Sequence, residues 1–92
     1  MLRISRTSTG WRITLKLEGE VNGRWVEELR NEWHRTLSGD TDREVVVDLA
    51  NVSSIDAAGL ELLKEMAARR VAVTNRSPYV AELLKDVAFP DT

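Results

Sequence analysis

The chain has 92 residues, of which 42% are hydrophobic and 30% are charged, and its formal net charge is −2 at pH 7. This length suits one ordinary globular domain, so we expect residues 1–92 to form a single domain. The absence of cysteine excludes disulfides and thiolate chemistry, and the interspersed charges leave no one-signed basic stripe for nucleic acid.

Alternating apolar and polar residues predict two strands near the start of the chain. The apolar members of the stronger pattern are Trp11, Ile13, Leu15 and Leu17. A period of two is typical of a strand with one buried face and one wet face. Leu2 and Ile4 form a weaker pattern upstream, and segment 7–10 between them has turn composition. We therefore predict an antiparallel hairpin.

A helix is predicted next, with Asn22 as its N-cap and Gly39 as its end. Its apolar stripe consists of Trp25, Val26, Leu29, Trp33 and Leu37. A spacing of three and four residues places such a stripe on one helix face, where core packing is expected for both tryptophans.

The second half of the chain predicts two further strands and two further helices. Segment 45–49 is a nearly continuous apolar run, typical of a central strand, and segment 71–74 is a short fourth strand. The second helix has an apolar stripe formed by Gly59, Leu62, Leu63, Met66 and Ala67. The third helix begins at Ser77 and Pro78, a hydroxyl cap followed by proline, and continues through Val87.

The predicted order is therefore β-β-α-β-α-β-α. Crossovers between parallel strands are right-handed, so two successive crossovers in the same direction put their helices on one side. We predict an α/β two-layer sandwich, in which a four-stranded mixed sheet carries the helices on one face.

The segment between residues 45 and 60 is the candidate functional site. A buried strand is predicted to end in a polar loop over residues 52–56, which opens directly into the second helix. Such a loop presents backbone N–H groups and the carboxylate of Asp56, which fits a helix N-cap better than a general base or a ligand. The next positions, Ala57 and Ala58, carry no reactive hydroxyl. The site is therefore predicted to bind rather than to react.

Other catalytic and metal-binding patterns fail on residue type or spacing. His34 is the only histidine, so it has no histidine or cysteine partner for a zinc site. Asp40, Asp42 and Glu44 resemble the start of a calcium loop, but the required glycine and glutamate are absent from its sixth and twelfth positions. No nucleotide-binding glycine pattern occurs. We therefore expect no enzyme activity, no metal and no cofactor.

Several segments together resemble one family, the STAS domain, typified by bacterial anti-sigma factor antagonists. They are residues 17–21 (LEGEV), 45–49 (VVVDL), 52–60 (VSSIDAAGL), 71–75 (VAVTN) and 77–84 (SPYVAELL). The family usually reads close to D-S-S-G where this chain has residues 56–59. The resemblance covers nearly the whole chain.

The resemblance implies a cytoplasmic protein-binding module of signal transduction and transcription regulation. In the antagonists, the loop and the following helix dock on an anti-sigma factor that is also a serine kinase, and phosphorylation of the second serine of D-S-S-G breaks the complex. The resemblance therefore implies partner-binding residues, namely Ser53, Ser54, Asp56, Ala57, Ala58, Gly59 and Leu60. The phosphorylated serine corresponds to Ala58, so phosphorylation there is excluded, and Ser53 and Ser54 are the remaining hydroxyls.

The resemblance also leaves other functions open. One alternative is a cytosolic STAS subunit of an ABC-type lipid transporter, bound to the transporter's ATPase. Another is a domain that senses an anion at the start of the second helix, although no basic residue lies in the loop. No segment reaches the length of a membrane span, so we expect no direct membrane insertion. The sequence leaves the oligomeric state open.

Overall fold

One mixed sheet organises the part of the chain that the computed structural model describes, residues 1–39 and 43–89. Its strands are β1 (Leu2–Thr9), β2 (Arg12–Val21), β3 (Glu44–Ile55) and β4 (Ala72–Thr74). The helices are α1 (Arg24–Gly39), α2 (Ala57–Ala68) and α3 (Pro78–Leu83). The element order is the predicted one.

The strands pair in the order β1-β2-β3-β4, so each pairs with its neighbours in sequence. β1 is antiparallel to β2, whereas β2, β3 and β4 are mutually parallel. Because α1 and α2 connect parallel neighbours, both helices cover the same face, and the predicted α/β sandwich is confirmed. The side chains of β2 and β3 meet those of the helices in a core that includes Leu15, Leu17, Trp33, Val47, Leu63 and Met66.

The β1–β2 hairpin is tighter than the sequence predicts. The predicted antiparallel hairpin is confirmed, but Thr7 and Thr9 pair with Thr14 and Arg12 as part of β1, so only Gly10 of the turn predicted over residues 7–10 lies outside the strands. Only Gly10 and Trp11 connect the strands, and Gly10 has a φ of +50°, which glycine adopts without strain. Trp11 lies in this turn rather than in the strand. The other tryptophans pack as predicted, with Trp33 fully buried and Trp25 half-buried.

β3 is longer than predicted, which changes the candidate site. The polar loop predicted over residues 52–56 is instead strand up to Ile55. The pairing with β2 shifts twice, between Lys16 and Glu18 and again between Gly19 and Glu20. These bulges place Val52 and Ile55 on the core face although they are three residues apart, so the more polar end of the segment still belongs to the strand. Asp48 accepts a hydrogen bond from the backbone N–H of Ala50 at 2.9 Å beside the first shift, so its carboxylate satisfies a local amide.

Two predicted helix boundaries differ from the observed ones. Asn22 is not the N-cap of α1, because its side-chain amide donates to Glu20 at 3.1 Å and the helix begins at Arg24. α3 starts at Pro78 with Ser77 as its cap, as predicted, but ends at Leu83 instead of continuing to Val87. Residues 84–89 contain no strand. Within residues 1–39 and 43–89, no helix is long and apolar enough to cross a membrane.

Candidate functional site

Asp56 holds together the three segments that meet at the start of α2. Its Oδ1 accepts a hydrogen bond from the backbone N–H of Gly59 at 2.7 Å, which makes Asp56 the N-cap of α2. Its Oδ2 accepts from the backbone N–H of Gly23 at 3.0 Å, in the turn that leads into α1. Its own N–H donates to the carbonyl of Val21 at 3.2 Å. The predicted capping role is confirmed, and the bond to the β2–α1 turn is additional.

These bonds also set the charge of the site. The hydrogen bonds from the backbone N–H groups of Gly23 and Gly59 hold the pKa of the Asp56 carboxyl below its usual range, and the bond from Gly23 has the larger effect. Hydrogen bonds to the ionised form favour that form, so the carboxylate stays charged at neutral pH. Because each oxygen already accepts a backbone hydrogen bond, Asp56 is arranged as a positioning group at the helix start.

Gly59 lies in the interior, against the end of β2. A Cβ at this position would lie 2.5 Å from the carbonyl oxygen of Val21 and 3.1 Å from Cγ2 of Ile55. Real Cβ atoms do not approach a backbone oxygen so closely, so glycine allows the first turn of α2 to pack on the sheet. Gly59 was among the predicted partner-binding residues, but in the structure it is buried and allows close contact between α2 and the sheet.

The exposed part of the site consists of small side chains on the first turn of α2. Ala57 and Ala58 are both exposed, and Leu60 is half-buried. Ser53 and Ser54 lie in the last residues of β3, where Ser53 donates its hydroxyl hydrogen to the carbonyl of Gly19 at 3.1 Å. The two serines therefore belong to the strand below the helix start, and not to the loop in which the sequence placed them.

Tyr79 is a feature of this site that the sequence did not predict. Its hydroxyl accepts a hydrogen bond from the backbone N–H of Ile55 at 3.3 Å, one residue before Asp56. Its side chain is 46% exposed, so part of the ring is accessible to a partner. Tyr79 and Ile55 are 24 positions apart in the sequence. Since Tyr79 stands in a short helix with ordinary periodicity, no local pattern indicated this contact.

Acidic groups border the same surface. Glu20, at the end of β2, is exposed and accepts a hydrogen bond from Asn22. This bond, together with the nearby N-terminal amino group, lowers the pKa of the Glu20 carboxyl. That amino group lies 3.4 Å from Glu20 Oε1 and offsets its charge, and the exposed Arg24 follows Gly23 at the same end, so charges of both signs border the exposed alanines.

The described residues offer no arrangement for metal binding. Across residues 1–39 and 43–89, no three histidine, cysteine, aspartate or glutamate side chains are grouped so that they would hold an ion. His34 is exposed on α1, with its ring 5.4 Å from that of Trp33. Asp40 and Asp42, which resembled the start of a calcium loop, lie outside the described residues.

Comparison with known proteins identifies a family and a fold. The family model described as "Mlab, STAS domain" matches residues 4–89. The anti-sigma factor antagonist SpoIIAA, in its unphosphorylated form, superposes with a TM-score of 0.70 at 18% identity, covering 91% of this chain and 79% of its own. At that identity the likeness concerns the fold alone.

Two other solved structures share the fold. An uncharacterized DUF3478-family protein from Shewanella loihica PV-4, with a SpoIIAA-like fold, gives a TM-score of 0.62 at 11% identity, covering 92% of this chain and 75% of its own. A structure of Mglu gives a TM-score of 0.68 at 28% identity and covers 80% of this chain. The match spans only 20% of the Mglu chain, so it concerns one part of a larger protein. No curated protein matches the chain.

Proposed function

The chain belongs to the STAS domain family, and on that premise we propose that it is a non-catalytic module that binds a protein partner through the start of α2. The observation that carries this proposal is the exposed pair Ala57 and Ala58, held in place by Asp56. We call the exposed residues Asp56, Ala57, Ala58 and Tyr79, together with the half-buried Leu60, the α2 surface.

The first support is the rigidity of the α2 surface. The two hydrogen bonds of Asp56 fix the helix start to the β2–α1 turn, and Tyr79 fixes α3 to the end of β3. A surface that is already ordered loses little conformational entropy when a partner binds. Preorganisation of this kind favours recognition without any chemical step.

The second support is the chemistry of the α2 surface. Methyl groups at Ala57 and Ala58 let a partner approach the helix closely, and the half-exposed ring of Tyr79 is the type of side chain that contributes most to interfaces. The Asp56 carboxylate and the Tyr79 hydroxyl already accept hydrogen bonds from backbone N–H groups, which supports binding over catalysis.

Ala58 bears on whether phosphorylation can regulate the proposed binding. The resemblance to anti-sigma factor antagonists aligns this residue with the phosphorylated serine of D-S-S-G, and alanine cannot accept phosphate. Ser53 already uses its hydroxyl on Gly19, and Ser54 is half-buried in β3, so neither is proposed as a replacement switch. We therefore propose that binding is independent of phosphorylation at position 58.

The partner that fits the resemblance is an anti-sigma factor of the serine-kinase type, met in the cytosol. The second candidate function is that of a cytosolic STAS subunit of an ABC-type lipid transporter, and in that case the partner is the transporter's ATPase. It is kept because the matching family model is described as "Mlab, STAS domain" and does not mention sigma factors. Both candidates use the same α2 surface on this chain.

The test is a comparison of two glutamate variants of the tagged full chain. Ala58→Glu places a charge in the α2 surface, whereas Ala68→Glu places the same charge at the exposed far end of the same helix. Proteins captured from the native cytosol by the wild type are identified by mass spectrometry. The purified partner is then titrated calorimetrically against all three forms.

We expect Ala58→Glu to weaken binding at least tenfold, because an unpaired charge would be buried in the interface, and Ala68→Glu to bind like the wild type. Equal affinity of the wild type and Ala58→Glu would place the docking surface elsewhere. A captured kinase-type anti-sigma factor supports the first candidate, and a transporter ATPase supports the second.

A further inference from the structure

The hairpin turn at the opposite end of the sheet carries an exposed tryptophan. Trp11 is 70% exposed, more than any other aromatic side chain among residues 1–39 and 43–89. A Cβ built on the neighbouring Gly10 would meet no atom within 4 Å, so the turn projects into open space. A single exposed apolar residue is common on protein surfaces and needs no explanation by itself. The charges around this one distinguish it.

One arginine lies beside the indole, and two others lie further along the hairpin. The guanidinium carbon of Arg12 lies 5.7 Å from the centre of the Trp11 ring, and its Nε donates to Glu44 at 3.1 Å. On the helix-bearing face, Arg43 donates to the hydroxyl of Ser8. The exposed Arg6 lies on the same face, two residues before Ser8. We call Trp11, Arg6, Arg12 and Arg43 the hairpin surface.

The hairpin surface belongs to a basic end of the domain. Because α1 and α2 run opposite to β2 and β3, their C-terminal turns lie at this end too. Its described basic residues are Arg6, Arg12, Arg35, Arg43, Arg69 and Arg70. Among the described acidic residues at this end, Glu32 and Glu44 pair with Arg35 and Arg12.

The charges at the start of α2 lie too far away to affect the hairpin surface. The longest dimension of the domain is 30 Å, and β2 runs from Arg12 at the basic end to Val21 beside Asp56. At physiological ionic strength, charges are screened over about 8 Å. Among the described residues, the hairpin surface carries three arginines, and Arg12 pairs with the carboxylate of Glu44, so a partner there meets an excess of positive charge although the whole chain has a net charge of −2.

We propose that the hairpin surface is a peripheral docking site for a bilayer containing anionic phospholipids. Indole rings favour the level of the lipid headgroups, because they combine a large apolar face with an N–H donor. Arginine side chains beside the ring would contact the headgroup phosphates and carboxylates. This contact lies at the membrane surface and differs from the insertion of a spanning segment.

The form of the surface favours a bilayer over an acidic protein. Hot-spot tryptophans in protein interfaces fill pockets and stand within a ring of further contacts that excludes water. Trp11 instead stands on a projecting turn, next to Gly10 and the exposed polar residues Ser8 and Thr9. A bilayer itself supplies an apolar interior and a polar headgroup layer, so the hairpin surface can bind it without a pocket around the indole.

The experiment measures partition of the full chain onto vesicles by flotation. One set of vesicles contains equal parts of phosphatidylserine and phosphatidylcholine, and the other contains phosphatidylcholine alone. The variants are Trp11→Ala and Arg6→Ala, and the control is Tyr79→Ala, which removes the exposed aromatic side chain at the opposite end. Far-UV circular dichroism verifies that each variant is folded. Quenching of tryptophan fluorescence by brominated lipids reports whether the Trp11 ring contacts the bilayer.

We expect wild type and Tyr79→Ala to bind the anionic vesicles equally, and binding to weaken as salt increases. Trp11→Ala should weaken partition roughly tenfold and abolish the quenching, and Arg6→Ala should weaken partition about fivefold. Absence of wild-type binding at low salt would overturn the proposal, as would equal binding of wild type and Trp11→Ala. Ala58→Glu should bind vesicles normally, so the hairpin surface and the α2 surface are tested separately.

Discussion

Replacing Gly59 with alanine sets two physical effects against each other. Glycine within a helix costs about 0.5–1 kcal/mol relative to alanine, so helix propensity alone predicts that Gly59→Ala stabilises the fold. The structure predicts the opposite. The new Cβ would lie 2.5 Å from the carbonyl oxygen of Val21 and 3.0 Å from its Cγ1. That carbonyl also accepts the N–H of Asp56, so the clash would disturb the cap of α2.

Overpacking of a rigid site typically costs about 1–3 kcal/mol. A Cβ 2.5 Å from a backbone oxygen places this site in the upper half of that range, so after subtraction of the gain in helix propensity we expect Gly59→Ala to lower the free energy of unfolding by about 1–2.5 kcal/mol. For a domain of this size, this corresponds to a fall in Tm of about 4–20 °C. Urea denaturation followed by circular dichroism at 222 nm (the helix signal) measures the first quantity, and a thermal scan measures the second.

The matched control is the reverse substitution at the adjacent exposed position. Ala58→Gly changes helix propensity without any steric contact, so it should lower the free energy of unfolding by about 0.5–1 kcal/mol. If Gly59→Ala were as stable as the wild type or more stable, the contact with Val21 would not be the reason for glycine, and the packing of α2 on β2 would need another explanation.

The remaining predictions concern the same region. The pKa of Asp56 is held below its usual range, so its ionised form stabilises the fold above about pH 4, and this stabilisation is lost as the pH falls further. Asp56→Asn should therefore be less stable than wild type at pH 7, with a difference that shrinks in acid; a constant difference in pH-dependent urea titrations would contradict this. Ala58→Glu should raise the free energy of unfolding by about 0.3–1 kcal/mol, because a negative charge in the first helical turn is favourable; a loss of stability would mean that its effect on binding is not specific. Tyr79→Phe should cost about 0.5–1.5 kcal/mol and speed hydrogen exchange at the amide of Ile55, whereas unchanged exchange would show that the 3.3 Å contact is not a stabilising hydrogen bond.

Much of the fold follows from local patterns in the sequence. Ile13, Leu15 and Leu17 alternate because β2 has one buried face, and the stripe of α2 from Leu62 to Met66 is buried as its spacing predicts. The extent of β3 could not be read in this way. The apolar run ends at Leu49, and the two bulges let the more polar residues up to Ile55 continue the strand, so composition alone ends the strand too early.

The candidate site was located by sequence, but its internal contacts were not. Asp56 is recognisable as a cap because the residues before a helix are local to it. Its second bond, to Gly23, joins positions 33 residues apart, and the hydroxyl of Tyr79 reaches Ile55 across 24 residues. Such contacts depend on how strands and helices pack in three dimensions, and no spacing within one segment encodes them.

The position of β1 at one edge of the sheet bears on how copies of the chain behave in concentrated solution. Among residues 1–39 and 43–89, no strand pairs with its outer side, and a free strand edge can recruit the same edge of another molecule and start aggregation. β1 carries Arg3 and Arg6, so two such edges brought together would place like charges at close range. At the other edge, β4 offers only three residues of strand, which is too short to guide a stable addition. One edge is thus protected by its charge and the other by its length, and replacing Arg3 and Arg6 with valine should make the protein prone to precipitate.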